Sequence, residues 1–242
     1  MLQRTEGIVL RTNLYGEADL IVTYLTKDYG IVKTFAKSPR KIKSRFGSSL
    51  EPLTYSKISF WGKEDSALPR LTQADIIHPF HILRSSLKSF LRVSEMIELT
   101  LSFVPERDPS TKAYSLIINM LRAFEEDSSD RMLVIYYKLK LLDITGFLPK
   151  LTGCGRCGNA GHDFYLSHGT VLCNKCSRGF ETSFRISAGL VNFYKNLLEW
   201  NSSHIKRIKP SEALISELSM VIDEHIKYVT EKSLKTRLSV YG

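Results

Sequence analysis

The four cysteines are the feature that most constrains what this chain can fold into. They form two C-x-x-C pairs, Cys154–Cys157 and Cys173–Cys176, and they account for every cysteine in the sequence. A turn of this form lets two thiolates face one ion, and a spacer of about 15–20 residues between the pairs is typical of a tetrahedral zinc site. The spacer 158–172 opens with turn residues and then contains Phe164–Leu166 and Thr170–Leu172. This pattern predicts a short hairpin that brings the second pair up to the first.

The ligand set predicts a structural site rather than a catalytic one. Four thiolates fill the tetrahedral coordination of a zinc ion and leave no open position for water. His162 and His168 lie in the spacer and could each replace a thiolate, but four cysteines already complete the site. Two disulfides and a thiol redox site are the alternatives. We therefore predict one structural zinc ion, with the ligands Cys154, Cys157, Cys173 and Cys176.

The start of the chain shows no export signal, because Arg4, Glu6 and Arg11 interrupt any apolar run. No run of about 18 uninterrupted apolar residues occurs elsewhere, so we expect no membrane span. We expect a cytoplasmic, reducing environment, where paired cysteines are more often metal ligands than disulfides. The chain has 34 Lys and Arg residues against 25 Asp and Glu, a formal net charge of +9 that favours a polyanionic partner.

Residues 1–79 have the composition and alternation of short β-strands separated by turns. Five segments are rich in β-branched and aromatic residues, and glycine, proline or aspartate residues punctuate them. Five short strands in about eighty residues predict a small barrel, for which the OB-fold is the commonest architecture of this size. The predicted strands are Gly7–Leu10, Leu20–Thr26, Ile31–Ala36, Tyr55–Trp61 and Leu71–Ile77.

A basic segment lies between the third and fourth predicted strands. It has no strand alternation and no acidic residue, so we expect a loop whose cations neutralise phosphates, with a solvated charge run as the alternative. The predicted nucleic-acid-binding residues are Lys33, Lys37, Arg40, Lys41, Lys43 and Arg45. Nearby aromatic residues could stack on bases, although burial in the barrel is the expectation for most of them. These residues are Phe35, Phe46, Tyr55, Phe60 and Trp61.

Residues 80–242 change to a helical period. Apolar residues recur at intervals of three and four, and serine, aspartate and glycine stand at the expected ends of the segments. The predicted helices are His81–Phe103, Ser110–Glu126, Asp130–Thr145, one from Ser187 to Trp200, and one that opens at Pro210–Ser211. The zinc hairpin, residues 150–180, is inserted between the third and fourth of them. The predicted fold class is therefore α+β, with an N-terminal barrel followed by an all-α domain.

No catalytic signature accompanies this architecture. The sequence lacks the glycine-rich phosphate loop G-x-x-x-x-G-K-[ST], and it also lacks G-x-G-x-x-G, H-E-x-x-H and G-x-S-x-G. The acidic residues are scattered instead of clustered as a two-metal nuclease requires. His78 and His81 flank Pro79 at the domain junction, where a hinge or surface role is expected. We predict that the chain is not an enzyme.

Several segments, taken in order along the chain, resemble RecO, a family of bacterial recombination and repair mediators. The N-terminal match is Gly7–Leu10, Tyr15–Val22, Thr26 and Gly30, followed by Ala36–Lys37, Arg40–Lys41, Ser44–Gly47, Leu50–Pro52 and Leu71–Ala74. Downstream, Gly146–Pro149 leading into the first cysteine pair, together with the second pair, is similar to the zinc-carrying members of the family.

The resemblance implies a mediator with an N-terminal OB-fold that binds single- and double-stranded DNA at the nucleoid. It implies annealing of complementary strands and, with a RecR partner, help for RecA in replacing single-strand DNA-binding protein (SSB). We also expect the helical domain to dock the acidic, hydrophobic tail of SSB, with Lys138 and Lys140 as candidate residues at the rim of the groove. A zinc-ribbon RNA-binding or transcription-associated protein is the main alternative, and a nuclease with unrecognised carboxylates is a second one.

Overall fold

A computed structural model describes residues 1–39, 46–63, 66–127, 130–180, 184–205 and 207–231. The chain divides into two compact units, which we call the barrel unit (Met1–Ser128) and the cysteine unit (Ser129–Gly242). The barrel unit includes three helices in addition to the strands. The predicted domain boundary, between residues 79 and 80, instead separates the strands from all the helices. That boundary stays a prediction. None of the described helices is long and apolar enough to cross a membrane.

Five strands close the predicted barrel. Each predicted strand is confirmed, and β1 is longer than expected because it continues to the turn at residue 16. The strands are β1 (Leu2–Tyr15), β2 (Asp19–Thr26), β3 (Gly30–Ala36), β4 (Tyr55–Trp61) and β5 (Arg70–His78). Their order is β1-β2-β3-β5-β4, and a short parallel pairing between Phe35 and Arg70 closes the sheet. A five-stranded barrel of this kind is the architecture of an OB-fold.

The barrel core follows from strand alternation, because every second side chain points inward. Val9, Val22, Tyr24, Ile58 and Leu71 all lie in this core with no more than 1% of their surface exposed. Among the aromatic residues near the basic loop, the predicted burial is confirmed for three: Phe46, Tyr55 and Phe60.

Two of those aromatic residues face outward to different degrees. Phe35 is half-buried on β3, and Trp61, the last residue of β4, is 61% exposed. Trp61 pairs across the sheet with Leu2, the first residue of β1, which is 51% exposed. Both sit at strand ends, where the sheet offers less cover.

The helices of the barrel unit are α1 (Ile82–Ser85), α2 (Leu87–Phe103) and α3 (Thr111–Glu126). The prediction of one continuous helix from His81 to Phe103 is wrong, because Ser86 has an extended backbone and its side chain accepts a hydrogen bond from the Ser89 backbone N–H. Ser86 is therefore the N-cap of α2 and interrupts the apolar period. Ser110, at the predicted start of the next helix, caps α3 in the same way.

Side-chain contacts join the barrel to these helices within the barrel unit. Tyr55 donates its hydroxyl hydrogen to the Glu6 carboxylate over 2.5 Å, and the Tyr114 hydroxyl of α3 lies 3.2 Å from that of Tyr55. The loop between α2 and α3 also reaches β3, where the Arg107 backbone N–H donates to the Ile31 carbonyl. These contacts keep the helices and the barrel in a single compact unit.

In the part of the cysteine unit that the structure describes, there are four helices and a small sheet. They are α4 (Arg131–Thr145), β6 (Asp163–Tyr165), β7 (Thr170–Leu172), β8 (Phe184–Arg185), α5 (Ala188–Glu199), α6 (Ser202–Ile205) and α7 (Glu212–Thr230). Asp130, Ser187 and Ser211, at the predicted starts of three helices, each accept a backbone hydrogen bond as N-caps, and Gly146 ends α4 in the left-handed region. The sequence analysis missed α6, which has only four residues.

A buried ion pair joins α4 to α7. The Lys138 ammonium lies 2.7 Å from the Asp223 carboxylate, and the two side chains are only 7% and 6% exposed. Lys138 therefore cannot line the rim of a docking groove, and that part of the prediction is wrong. Lys140 is half-buried, donates to the Leu198 carbonyl and lies over the Tyr136 ring. Its hydrogen bond to α5 makes it a packing residue as well.

Candidate metal centre and candidate nucleic-acid interface

The four cysteine side chains converge on one point. All four Sγ atoms lie within 4.8 Å of one another, and those of Cys157 and Cys173 are 3.6 Å apart. A tetrahedral zinc–thiolate site with bonds of about 2.3 Å places its sulfur atoms about 3.8 Å apart. A disulfide would need a separation of about 2.0 Å, and all four cysteines are free. The geometry thus matches a metal site made by both C-x-x-C pairs together.

Backbone hydrogen bonds shape the two cysteine loops. In the first loop, the Gly158 N–H donates to the Cys154 carbonyl over 2.9 Å, and Gly158 has a φ of +80° that favours glycine. In the second, the N–H groups of Cys176 and Ser177 both donate to the Cys173 carbonyl. Each loop is a tight turn that directs two thiols to the same side.

The predicted hairpin brings the two loops together. Strands β6 and β7 pair in antiparallel register from Asp163 opposite Leu172 to Tyr165 opposite Thr170. Cys173 directly follows β7, and the Gly155 N–H of the first loop donates to the Val171 carbonyl of β7 over 2.9 Å. The strand therefore carries the second loop while it binds the first.

The electrostatics of the cluster favour a cation. Burial raises the pKa of the Cys154 thiol, but hydrogen bonds from the backbone of Cys173, Cys157 and Arg156 outweigh it and lower that pKa to about 6. A backbone hydrogen bond from Cys176 lowers the pKa of Cys173, whereas side-chain hydrogen bonds from Cys157 and Cys173 raise the pKa of Cys176 to about 12. Without a cation, some of the four thiols would be thiolates and others would stay protonated, because neighbouring negative charges repel each other. A divalent ion would allow all four to be thiolates.

Neither spacer histidine belongs to the group of ligand atoms that the thiols form. The His168 ring packs edge-on against Phe180, with centroids 4.6 Å apart, and its Nδ1 lies 3.0 Å from the Ser167 hydroxyl. His162 is exposed, and its carbonyl accepts a hydrogen bond from the Ile186 N–H. Among the described residues, the group able to hold an ion consists of the four cysteines alone.

A third histidine, which the sequence analysis did not single out, attaches the hairpin to α7. His225 is 4% exposed, its Nε2 lies 2.8 Å from the Phe147 carbonyl, and its ring packs edge-on to Phe164 of β6. A Cβ at Gly169 would lie 3.1 Å from the ring, so glycine permits this approach. Burial lowers the pKa of His225, although the hydrogen bond to Phe147 opposes the shift. Helical spacing alone gives no signal for this role.

The candidate nucleic-acid interface is the outer face of β1, β2 and β3. Val32, Thr34 and Ala36 of β3 are buried, and Lys33 and Phe35 alternate with them and face outward. The Tyr15 ring, 53% exposed at the end of β1, packs edge-on against Phe35 with ring centroids 5.8 Å apart. This aromatic pair gives the outer face an accessible stacking surface.

Three exposed cations lie on these strands or directly after them. Lys33 is exposed but forms an ion pair with Glu106, which cancels part of its field. Lys37 is exposed directly after β3. Arg11 is exposed on β1 and lies in register with Thr23, which in turn pairs with Lys33. Arg11 was missed because its face depends on the bulge between Val9 and Arg11, which only the pairing shows.

The remaining predicted DNA-binding residues, Arg40, Lys41, Lys43 and Arg45, lie outside the described residues. The structure shows where the segment that contains them begins. The Ser38 N–H donates to the Asp19 carboxylate over 2.6 Å, and Pro39 is buried. The last described residues before this segment, Ser38 and Pro39, therefore lie near Asp19, which pairs with Tyr15 at the end of β1.

The fold and the two sites define a class of protein. It has an OB-type barrel, followed by a helical part that contains a four-cysteine hairpin. Residues 1–80 match the family model "Recombination protein O N terminal", and residues 84–238 match "Recombination protein O C terminal". The chain is 42% identical over 228 residues to the DNA repair protein RecO of Thermodesulfovibrio yellowstonii, covering 92% of this chain and 91% of that protein. It is 30% identical over 239 residues to the RecO of Dehalococcoides mccartyi, covering 97% and 93%. The chain belongs to the RecO family of DNA repair proteins.

Proposed function

We propose that this chain is a non-enzymatic DNA-binding mediator that binds single- and double-stranded DNA and anneals complementary strands. With RecR it would help RecA load onto single strands coated by SSB, and this role would place it at the nucleoid in the cytoplasm. The observation that carries the proposal is the Tyr15–Phe35 ring pair, with Tyr15 exposed, on the same outer face of the barrel as the exposed cations Arg11 and Lys37. Stacking and phosphate neutralisation together give affinity without sequence preference.

Annealing follows physically from the same surface. Two complementary strands repel each other through their phosphates, and a cationic surface that holds both lowers this repulsion. The basic segment from Lys37 to Arg45 lies beside the aromatic pair in the sequence and adds four further cations. These cations, Arg40, Lys41, Lys43 and Arg45, remain our proposed phosphate contacts.

We further propose that Cys154, Cys157, Cys173 and Cys176 hold one structural zinc ion. The support is the mutual approach of their Sγ atoms within 4.8 Å and the backbone hydrogen bonds that stabilise thiolate charge. When bound, the ion would supply folding free energy to the hairpin. A four-thiolate site has no open coordination position, so we expect no chemistry at the metal. The acidic tail of SSB would dock on the helical part of the protein, without Lys138 as a rim residue.

The test is DNA binding and strand annealing across a salt series. In a variant with Arg40, Lys41, Lys43 and Arg45 replaced by alanine, we expect weaker binding and a salt dependence reduced by about 0.7 per lost phosphate contact on single strands. The annealing rate on SSB-coated strands should fall in parallel.

The matched control removes four exposed cations elsewhere. Lys88, Lys112, Lys195 and Lys209 are all exposed, and their replacement by alanine changes the net charge by the same four units. If both variants lost affinity equally, general charge and not the basic segment would explain binding. Preference for structured RNA over single-stranded DNA would favour the RNA-binding alternative, and cleavage of labelled DNA with Mg²⁺ or Mn²⁺ would favour the nuclease.

A further inference from the structure

A pocket of about 190 Å³ opens at one end of the barrel, apart from the outer face described above. Its apolar lining includes Tyr29, Val32 and Phe60. The Tyr29 ring packs edge-on against Phe60 with centroids 5.6 Å apart, and Tyr29 is half-buried while Phe60 is 2% exposed. The pocket thus presents an aromatic ring that is held in place by a second, buried ring.

Cationic side chains line the same pocket. Lys63 follows β4 and is exposed, and Arg107 comes from the loop between α2 and α3. The lining residues that the structure describes include no carboxylate, and the neighbouring Glu64 and Asp65 lie outside the described residues. An aromatic wall beside two cations matches the chemistry of a base with its flanking phosphates.

The backbone holds Arg107 in a conformation that a non-glycine residue rarely adopts. Its φ is +61°, its N–H donates to the Ile31 carbonyl over 3.0 Å, and its guanidinium donates to the Ser66 carbonyl. The next residue, Asp108, packs so closely on Gly30 that a Cβ there would lie 2.3 Å from the Asp108 carbonyl oxygen. Such strain persists where the surroundings fix it, and it concentrates at ligand-binding positions.

The pocket borders the proposed DNA path. Ser66 and Pro69 belong to the loop between β4 and β5, and in OB-folds this loop takes part in binding oligonucleotides. The Pro69 carbonyl accepts a hydrogen bond from the Phe35 N–H, and Val32 lies three residues before Phe35 on β3. Three residues of strand span about 10 Å, a distance that a stretched single strand crosses within a few nucleotides.

We propose that this pocket receives one unstacked base of a single-stranded DNA that lies across the barrel. The base packs against Tyr29, and Lys63 and Arg107 contact the phosphates on either side of it. A paired base cannot enter, so the pocket discriminates single from double strands. The inference rests on the proposed DNA-binding function and adds a specific subsite to it.

The test compares Tyr29→Leu with wild type in the full-length protein, using a single-stranded oligothymidylate and a blunt duplex of equal length. Loss of one base-stacking contact should weaken single-strand binding by about 5- to 150-fold, the equivalent of 1–3 kcal/mol, and leave duplex binding unchanged. Lys63→Gln, at an exposed position, should reduce the salt dependence of single-strand binding by about 0.7. Lys57→Gln, an exposed cation of β4 that does not line the pocket, is the matched control and should behave as wild type.

The outcomes separate the two proposals. If wild type bound neither DNA, the proposed function itself would fail. If wild type bound single strands and both Tyr29→Leu and Lys63→Gln bound them equally well, the DNA function would stand and the base pocket would be overturned. Equal losses on single strand and duplex would also overturn it. A third ligand, an acidic peptide that ends in an aromatic residue, tests the alternative occupant. If Tyr29→Leu weakened the binding of this peptide but left single-strand binding unchanged, the pocket would be a peptide site instead.

Discussion

The barrel and the four-cysteine hairpin are both small β-structures, but they are held together in different ways. The barrel core contains ten buried residues from all five strands and the loop that precedes β4. The hairpin has strands of three residues, and the buried cluster around its thiols consists of Cys154, Tyr165, Leu172 and Cys173. Apolar burial of the first kind stabilises a fold without a ligand. A cluster in which half of the residues are thiols is the kind of core to which our proposed zinc ion would add folding free energy.

This difference explains where each region can place function. The barrel has its core inside and can leave Tyr15, Phe35 and Lys37 on its outer face, where we propose that they contact DNA. In the hairpin, the chemically reactive side chains are the four thiols, and these are the side chains that we propose bind the structural zinc ion. The most recognisable motif of the sequence is therefore assigned to stability, and a less conspicuous sheet face is assigned to binding.

Removing a thiolate should have the largest effect. Cys173→Ser leaves three ligands, and structural zinc in small domains supplies about 10–16 kcal/mol, comparable to the whole stability of a domain. We expect bound zinc to fall from one ion per chain to nearly none and the hairpin to unfold. Elemental analysis and near-UV circular dichroism measure this, with Ser177→Ala as the control in the same loop. Retention of zinc and of the wild-type spectrum by Cys173→Ser would contradict the four-thiolate site.

Breaking the buried ion pair of the cysteine unit should have the next largest effect. Lys138→Ala leaves the Asp223 carboxylate buried without its cation, which typically costs about 3–5 kcal/mol. The double variant Lys138→Met with Asp223→Leu removes both charges and should recover most of that loss. Urea denaturation measures both values. A loss below about 1 kcal/mol in the single variant would show that the pair is solvated.

Removing the exposed aromatic ring should act on binding and not on stability. Tyr15→Ala removes one proposed stacking surface, which is worth about 1–3 kcal/mol per base on single strands. Because Tyr15 is 53% exposed, the free energy of unfolding should change by less than about 0.5 kcal/mol. Tyr228→Ala, at a residue with 51% exposure on α7, is the matched control for fluorescence-anisotropy titrations. Equal affinities of the two variants would argue against the outer face.

The smallest expected effect is a pH dependence in the cysteine unit. Burial lowers the pKa of His225, so the unfolded chain takes up its proton first as the pH falls below the usual value of about 6.5. The contribution of His225 to the free energy of unfolding is complete above that pH, and it is lost as the pH falls toward the pKa of His225 in the folded protein. Between pH 7.5 and 5.5, urea unfolding should therefore show a smaller loss of stability in His225→Gln than in wild type. A parallel loss in both would assign the pH dependence to other groups.

Much of the fold was predictable because its signals are local. Strand alternation located all five barrel strands, and the caps at Ser110, Asp130, Ser187 and Ser211 marked the helix starts. The spacing of the cysteines predicted both their cluster and the hairpin between them. In each case, neighbours within a few residues determine the structure.

The rest depends on contacts between distant residues. Lys138 looks like a surface lysine in the sequence, and its partner Asp223 lies 85 residues away on another helix. Arg11 joins the candidate interface only through its register with β2, and His225 acquires its role from Phe147 and Phe164. The break at Ser86 was hidden because Leu83 and Leu87 keep the helical interval across it.

The central claim is that DNA contacts the barrel face while the metal supports the other unit. The most direct test measures single-strand affinity, in one salt series, for full-length Tyr15→Ala/Lys37→Ala and full-length Cys173→Ser. We predict a loss of at least about 10-fold for the first variant, which should keep its zinc, and a change of less than about 3-fold for the second. Wild-type affinity in the first variant, together with lost binding in a folded Cys173→Ser protein, would contradict the account.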